Sequence, residues 1–130
     1  SNVISINGGV QLDLMGQENA ESTGTRQLSG VGGQMDFLEG AYRSKGGKGF
    51  ICINSSRVTK DGERKSNILA TIPGGSTISA PRTMIQYVAT EYGIASLSGK
   101  TLRERAEAMA SIAHPDFREE LMKYAQENFK

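Results

Sequence analysis

The chain has 130 residues, with 15 Lys and Arg against 14 Asp and Glu, and a formal net charge of +1. That length suits one domain burying roughly two thirds of the surface of its unfolded chain, and the near-neutral balance gives no global attraction to nucleic acid or an anionic membrane. One Cys excludes an internal disulfide framework, and no apolar run approaches the roughly 18 residues a membrane span needs.

No charged segment followed by an apolar one marks a signal peptide, and the expectation is a soluble, cytoplasmic protein. Ser1-Asn2, ahead of a strand that begins abruptly, reads as the start of an excised piece. Gly is in excess, at 16 of 130 residues against an ordinary usage of about 7%. Its clusters follow no fixed period, so they read as turns with work to do and not as a repeat.

In chain order, Val3, Ile4 and Ile6 form a strand candidate stopped by Gly8-Gly9. Val10, Leu12 and Leu14 alternate with Gln11 and Asp13 as a second one. Gly16 to Ser29 is polar and reads as a long surface loop. It enters SGVGGQMDF, Ser29 to Phe37, where three glycines in four positions precede an apolar pattern at helical spacing. A glycine turn feeding a helix aims free N–H groups at one point, which suits a phosphate, a carboxylate or the oxygen of a reacting carbonyl; it also serves as a plain strand-to-helix connection. Met35, Leu38 and Tyr42, with Phe37 and Ala41, predict a helix of two or three turns ending near Ser44.

The following SKGGKG lacks the spacing of a P-loop and precedes a strand instead of following one, so it reads as a helix C-terminal glycine turn with Lys45 and Lys48 in water. Phe50 to Ile53 is a continuous apolar run, as in a strand covered on both faces, which makes Cys52 a buried reduced thiol. Val58 to Ile72 reads as a hairpin around Asp61-Gly62, Thr77 to Ser79 as a short strand, and Ile85 to Thr90 as a strand ended by Tyr92-Gly93. Thr101 and Glu104 form a capping box for a helix over 101–113 with Leu102, Ala106, Met109 and Ala113 as its buried stripe. His114 then caps a second helix with Pro115 at its first position, and Phe117, Leu121, Tyr124 and Ala125 on one face. Strands in the first two thirds followed by a helical pair indicate a layered α/β domain.

The residues lack several chemistries. The only His, His114, stands at a helix junction and no Gly-x-Ser-x-Gly elbow exists, so a nucleophilic triad is not expected. One His and one Cys, 62 positions apart, and acids without calcium-loop spacing imply no metal. No basic aromatic stripe suggests a nucleic-acid platform. Glu91 is the carboxylate of interest, because it ends a predicted strand, where α/β sheets place their sites.

Four ordered blocks carry a resemblance: Ile6 to Ser22, Ser29 to Lys48, Tyr87 to Met109 and Ile112 to Leu121. Together they resemble the C-terminal domain of the acetyl-CoA hydrolase/transferase family, close to its 4-hydroxybutyrate CoA-transferases, over nearly the whole chain. The resemblance implies the open layered α/β fold of CoA-transferases and residues 1–130 as the C-terminal domain of a longer polypeptide. It also implies transfer of CoA from an acyl-CoA to a carboxylate through a glutamyl-CoA thioester. Hydrolysis of acetyl-CoA and a non-catalytic acyl-CoA-binding module stand as alternatives. The nucleophilic Glu of the family lies in the preceding domain, which has no counterpart here, so this chain alone is expected to be inactive. Gly32 resembles the position whose N–H helps form an oxyanion hole, with Gly30, Val31, Gly33 and Gln34 around it as coenzyme A-binding positions. Glu91 matches the acidic position of the family's T-[DE]-x-G stretch, with a polar supporting role. No permanently bound cofactor is implied, coenzyme A being substrate. The implied partners are an acyl-CoA, a small carboxylate and the missing N-terminal domain, with a homodimer left open.

Overall fold

The computed structural model describes residues 4–19, 22–23, 26–27, 34–72, 74, 78, 81–82 and 85–130, with backbone alone for 22–23, 26–27, 34–37 and 42. Its first half contains β1 (Ile4–Gly8), β2 (Gln11–Asp13), β3 (Glu18–Asn19), β4 (Ser22–Thr23), β5 (Arg26–Gln27), α1 (Gln34–Arg43), β6 (Lys48–Cys52) and β7 (Ser56–Val58). Then come β8 (Arg64–Ser66), β9 (Ile68–Leu69), β10 (Tyr87–Thr90), β11 (Gly93–Ser96), α2 (Leu102–Ser111) and α3 (Pro115–Asn128).

The principal sheet has the order β1-β6-β10-β11, the first three strands parallel and β11 antiparallel at the edge. A smaller sheet, β3-β2-β9, lies beside it, and β4-β5 and β7-β8 are two-stranded ribbons. Alternation along the principal strands sends Ile51, Val88 and Ala95 to one face, where they share a buried core with Leu38 and Ala41 of α1 and Ala106, Met109 and Ala110 of α2, while α3 packs on α2 and adds Leu121 and Ala125. A parallel sheet needs its apolar faces covered, and these helices supply the cover on that face.

Local signals form the helices as expected. Thr101 Oγ1 accepts from Glu104 N–H at 3.2 Å while Glu104 Oε1 accepts from Thr101 N–H at 2.9 Å, closing the capping box. His114 Nδ1 accepts from Asp116 N–H at 3.2 Å and Pro115 opens α3. Helix α1 ends at Arg43 and turns through Ser44–Gly47, where Gly46 has φ +72° and a Cβ at Gly47 would overlap the Ala41 carbonyl. Lys45 and Lys48 are exposed there. The Asp61-Gly62 turn forms with Val58 opposite Arg64, but the second strand of the hairpin is the charged Arg64–Ser66, and Ile68–Leu69, expected in the hairpin, pairs parallel with β2 instead.

Other expectations need correction. Cys52 is exposed, not buried, because β6 is covered on one face only: Ile51 and Ile53 point to the core while Phe50 and Cys52 point away from it. The segment after Gly16 is not all surface loop, since Glu18 and Asn19 pair with β2 and are fully buried. The strand at Leu12 does not alternate in burial either; Gln11 through Leu14 are all buried between β3 and β9. The strand does end at Thr90 as expected, but a strand that was not foreseen, β11, begins at Gly93. Leu102 is 37% exposed and falls outside the buried stripe of α2. The strand expected over Thr77 to Ser79 lies outside the described residues, apart from Ile78.

Arg105 takes the place in that stripe which its charge would seem to forbid. It is 8% exposed, and its guanidinium donates to the carbonyls of Met15 (3.1 Å), Leu97 (3.1 Å) and Arg82 (2.6 Å), joining three segments distant in sequence. Burial and the nearby Arg82 push its pKa down while Asp13 opposes them. Gly16, at φ +89°, leaves room for it: a Cβ there would lie 2.7 Å from the guanidinium. Asp13 holds the same turn, accepting from the backbone N–H of Met15 and Gln17 at 3.0 and 2.9 Å and from the Gln17 amide at 2.8 Å. Burial nevertheless pushes the Asp13 pKa up past what those bonds recover.

Candidate active site

The carboxyl ends of the three parallel strands converge on one edge, the usual position for a ligand on an open α/β sheet. There Gly9 follows β1, Ile53 and Asn54 follow β6, and Thr90 ends β10 with Glu91 next after it. A cavity of about 400 Å³ opens between them, lined by Gly9, Cys52, Ile53, Asn54, Ala89 and Thr90. Backbone bonds from Gly9 N–H to Cys52 O (3.4 Å) and from Ile53 N–H to Ala89 O (3.1 Å) carry the ladder to its rim.

Glu91 stands at that rim, exposed, as its place after β10 predicts. Its Oε1 accepts from Ser55 N–H at 2.7 Å, fastening the end of β10 to the end of β6. The small burial it suffers pushes its pKa up, but the Ser55 N–H, its own N–H, the nearby Ser55 hydroxyl and the charge His114 carries when protonated outweigh that and hold it below the ordinary carboxylate value. The Ser55 hydroxyl is fully buried and makes no well-formed hydrogen bond, so we assign the anchoring of Glu91 to the backbone donor. Asn67 secures the same corner, donating its N–H to Ser55 O (2.8 Å) and its side-chain amide to Asn54 O (2.9 Å). Thr90 Oγ1 donates to Ile112 O at 2.7 Å, tying the strand end to the C-terminus of α2. Arg118 lies 4.8 Å over the Tyr92 ring, whose edge meets His114.

A lowered carboxyl pKa makes the protein's stability depend on pH in a definite direction. The contribution of Glu91 is present above the unfolded value of about 4.5 and is lost as pH falls through the lower folded value. Asp13 has the opposite sign: its raised pKa favours the fold most below about 3.8 and withdraws that contribution as pH rises through the folded value. Glu91→Gln is therefore expected to flatten the acid limb of the stability curve below pH 4.5, and Asp13→Asn to steepen the net loss of stability on acidification, by thermal melts between pH 3 and 7. Unchanged acid limbs in both variants would mean that neither carboxylate is held as the hydrogen bonds indicate.

The other sequence-derived site residues are placed less fully. Gly30, Val31, Gly32 and Gly33 lie outside the described residues, and Gln34 is described as the first residue of α1 without its side chain. The helix nevertheless has an informative polarity. A tight turn joins α1 to β6, so the two run in opposite directions; ten helical residues span about 15 Å and five strand residues about 16 Å. The N-terminus of α1 is thereby returned to the sheet edge that carries Glu91. Asn54 and Ser55, which shape that edge, were not singled out in the sequence, where their polar run after an apolar strand reads as an ordinary loop. Among the described residues no three of His, Cys, Asp and Glu gather as a metal site, and no helix is long and apolar enough to cross a membrane.

An open, mostly parallel sheet with helices on its core face and a polar edge at the strand ends defines an open, layered α/β domain. A family model, the acetyl-CoA hydrolase/transferase C-terminal domain, matches residues 1–125, and the chain belongs to that family. It is 50% identical over 125 residues to the butyryl-CoA:acetate CoA-transferase of Anaerostipes caccae, covering 96% of this chain and 28% of that one. To the 4-hydroxybutyrate coenzyme A transferase of Clostridium kluyveri it is 50% identical over 128 residues, covering 98% and 29%. The crystal structure of RipA from Yersinia pestis superposes with a TM-score of 0.82 at 41% identity, covering 96% of this chain and 27% of that one. The chain thus spans less than a third of the length of these relatives.

Proposed function

We propose that this domain forms one wall of the active site of a CoA-transferase that moves CoA from an acyl-CoA to a small carboxylate. The observation that carries the reading is the 50% identity to two CoA-transferases across nearly the whole chain. The convergence of Glu91 and the α1 N-terminus on one sheet edge supports it. Coenzyme A acts as substrate and no resident cofactor takes part.

The chemistry divides between this wall and a nucleophile supplied by the N-terminal domain of the same polypeptide. A Glu carboxylate there attacks the thioester carbonyl; the C–S bond breaks, giving an acyl-glutamyl anhydride and CoA thiolate. The thiolate then attacks the glutamyl carbonyl, releasing the first carboxylate and leaving glutamyl-CoA, and the acceptor carboxylate reverses these steps. Each attack puts negative charge on a carbonyl oxygen. Gly32 N–H is the donor we assign to that oxygen, with Gly30, Val31, Gly33 and Gln34 as the residues of the coenzyme A path. Glu91 keeps its charge and braces β10 against β6, a positioning role and not an attacking one.

Full-length enzyme incubated with acyl-CoA is expected to yield a glutamyl-CoA adduct, seen by mass spectrometry or borohydride trapping, and to transfer CoA to an added carboxylate. CoA release that is independent of any acceptor would replace this reading with hydrolysis. The 130-residue chain alone is expected to transfer nothing; activity with contaminating enzyme excluded would put the nucleophile in this domain. Glu91→Gln in the full-length enzyme is expected to lower turnover while the adduct still forms, and a well-folded variant that forms no adduct would give Glu91 a primary catalytic role.

A further inference from the structure

A second cavity, of about 670 Å³, is separate from the active-site edge and shares no lining residue with the cavity there. It opens between the β7–β8 hairpin, β9 and α3, and Gln11 of β2 is among its lining residues. Small-molecule sites commonly enclose about 300 to 1,000 Å³. Helical spacing puts Phe117, Leu121 and Tyr124 on one face of α3, and Ile68 and Leu69 of β9 line the same space, so its body is apolar. Its charges divide by wall. The hairpin contributes Arg57, Arg64 and Lys65 with one acid, Glu63, whereas α3 contributes Glu120 and Glu127 with one base, Lys123. Arg57 and Arg64 donate to neutral acceptors, Asn67 Oδ1 at 2.6 Å and Ser56 Oγ at 2.7 Å, and none of these charged side chains forms an ion pair among the described residues. Gln11 is 4% exposed, and its Oε1 meets no hydrogen-bond donor among the described residues. A buried amide oxygen in that state is costly, and a ligand that donates to it removes the cost.

We propose that this cavity is an accessory binding site for a small zwitterion with an apolar body, of the class of the larger apolar α-amino acids. Its carboxylate faces the cationic hairpin, where Arg64 and Lys65 have no acidic partner; its ammonium faces Glu120 and Glu127 and donates to Gln11 Oε1; its side chain lies against Phe117, Leu121 and Tyr124. A plain carboxylate leaves the acidic wall and the Gln11 oxygen without a donor, and a plain amine leaves the basic wall without an acceptor. A polyanion such as a phosphorylated coenzyme is disfavoured by the two glutamates on α3. Every group used lies in this domain and outside the candidate active site, so the proposal does not rest on the transfer reaction.

In the full-length protein, titration calorimetry with L-phenylalanine as the probe should show saturable binding. 3-Phenylpropionate, which lacks the ammonium, and phenethylamine, which lacks the carboxylate, should each bind at least about tenfold more weakly, the loss expected for one charged hydrogen bond. Photolysis of bound p-azido-L-phenylalanine should label α3 or the β7–β8 hairpin, located by peptide mass mapping, and excess L-phenylalanine should prevent it. Glu120→Gln combined with Glu127→Gln, and separately Lys65→Gln, all on exposed side chains, should weaken L-phenylalanine about threefold or more. Lys60→Gln, on the same hairpin but outside the lining, should leave the affinity unchanged. Gln11→Met should also weaken binding; where that buried change disturbs folding, the exposed variants decide. The absence of saturable binding would overturn the proposal, as when another part of the chain fills the cavity. So would labelling confined to other segments, affinities unmoved by the exposed variants, or equal affinity for all three probes, which shows apolar adsorption alone.

Discussion

Gly32→Val in the full-length enzyme is expected to lower kcat by on the order of a hundredfold or more while changing CoA binding much less, the effect typical of losing one oxyanion donor. The side chain would stand between the N–H and the thioester oxygen, and the charge that the donor serves develops only as the carbonyl is attacked. Helix α1 starts at Gln34, immediately after the glycines in sequence, and the turn that joins it to β6 sets its N-terminus toward the edge where Glu91 stands. A positive φ at Gly32 would add a stability cost of about 1 to 3 kcal/mol, so thermal unfolding belongs beside the kinetics. Near-normal kcat in a well-folded variant would make the loop a structural turn and place the oxyanion elsewhere.

The second large effect concerns stability. Arg105→Ala is expected to cost about 3 to 5 kcal/mol, since it strips donors from three carbonyls and empties the space that they surround. Met15, Leu97 and Arg82 lie on different segments, and the guanidinium reaches all three carbonyls. Arg105→Lys should recover only part of the loss, because a single ammonium cannot match a planar fork with three diverging acceptors. Denaturant unfolding of both variants measures the difference. An alanine variant within about 1 kcal/mol of the unsubstituted protein would show that water satisfies those carbonyls at little cost.

What could be read from the sequence was whatever neighbouring residues settle among themselves. The capping box at Thr101 and Glu104, the His114-Pro115 helix start, the Asp61-Gly62 hairpin and the glycine turn closing α1 each satisfy their own backbone groups within a few positions, and all four appear in the structure. Glu91 at a strand end was legible for the same reason, and the four blocks of residues carried the family.

Tertiary structure decided what depends on distant partners. Phe50 to Ile53 is equally apolar on both sides, so nothing within it says which face the helices will cover; their packing buries Ile51 and leaves Cys52 exposed. Glu18 and Asn19 look like loop residues until β2 pairs with them and closes them off from water. Arg105 reads as one more surface charge on a helix, and only the fold brings three carbonyls around it and a glycine that leaves it room. The sequence by itself determined the caps, turns and helix starts, because those are short-range hydrogen-bond choices. The burial of charged residues and the choice of covered face required the assembled chain, because their partners lie up to 90 positions away.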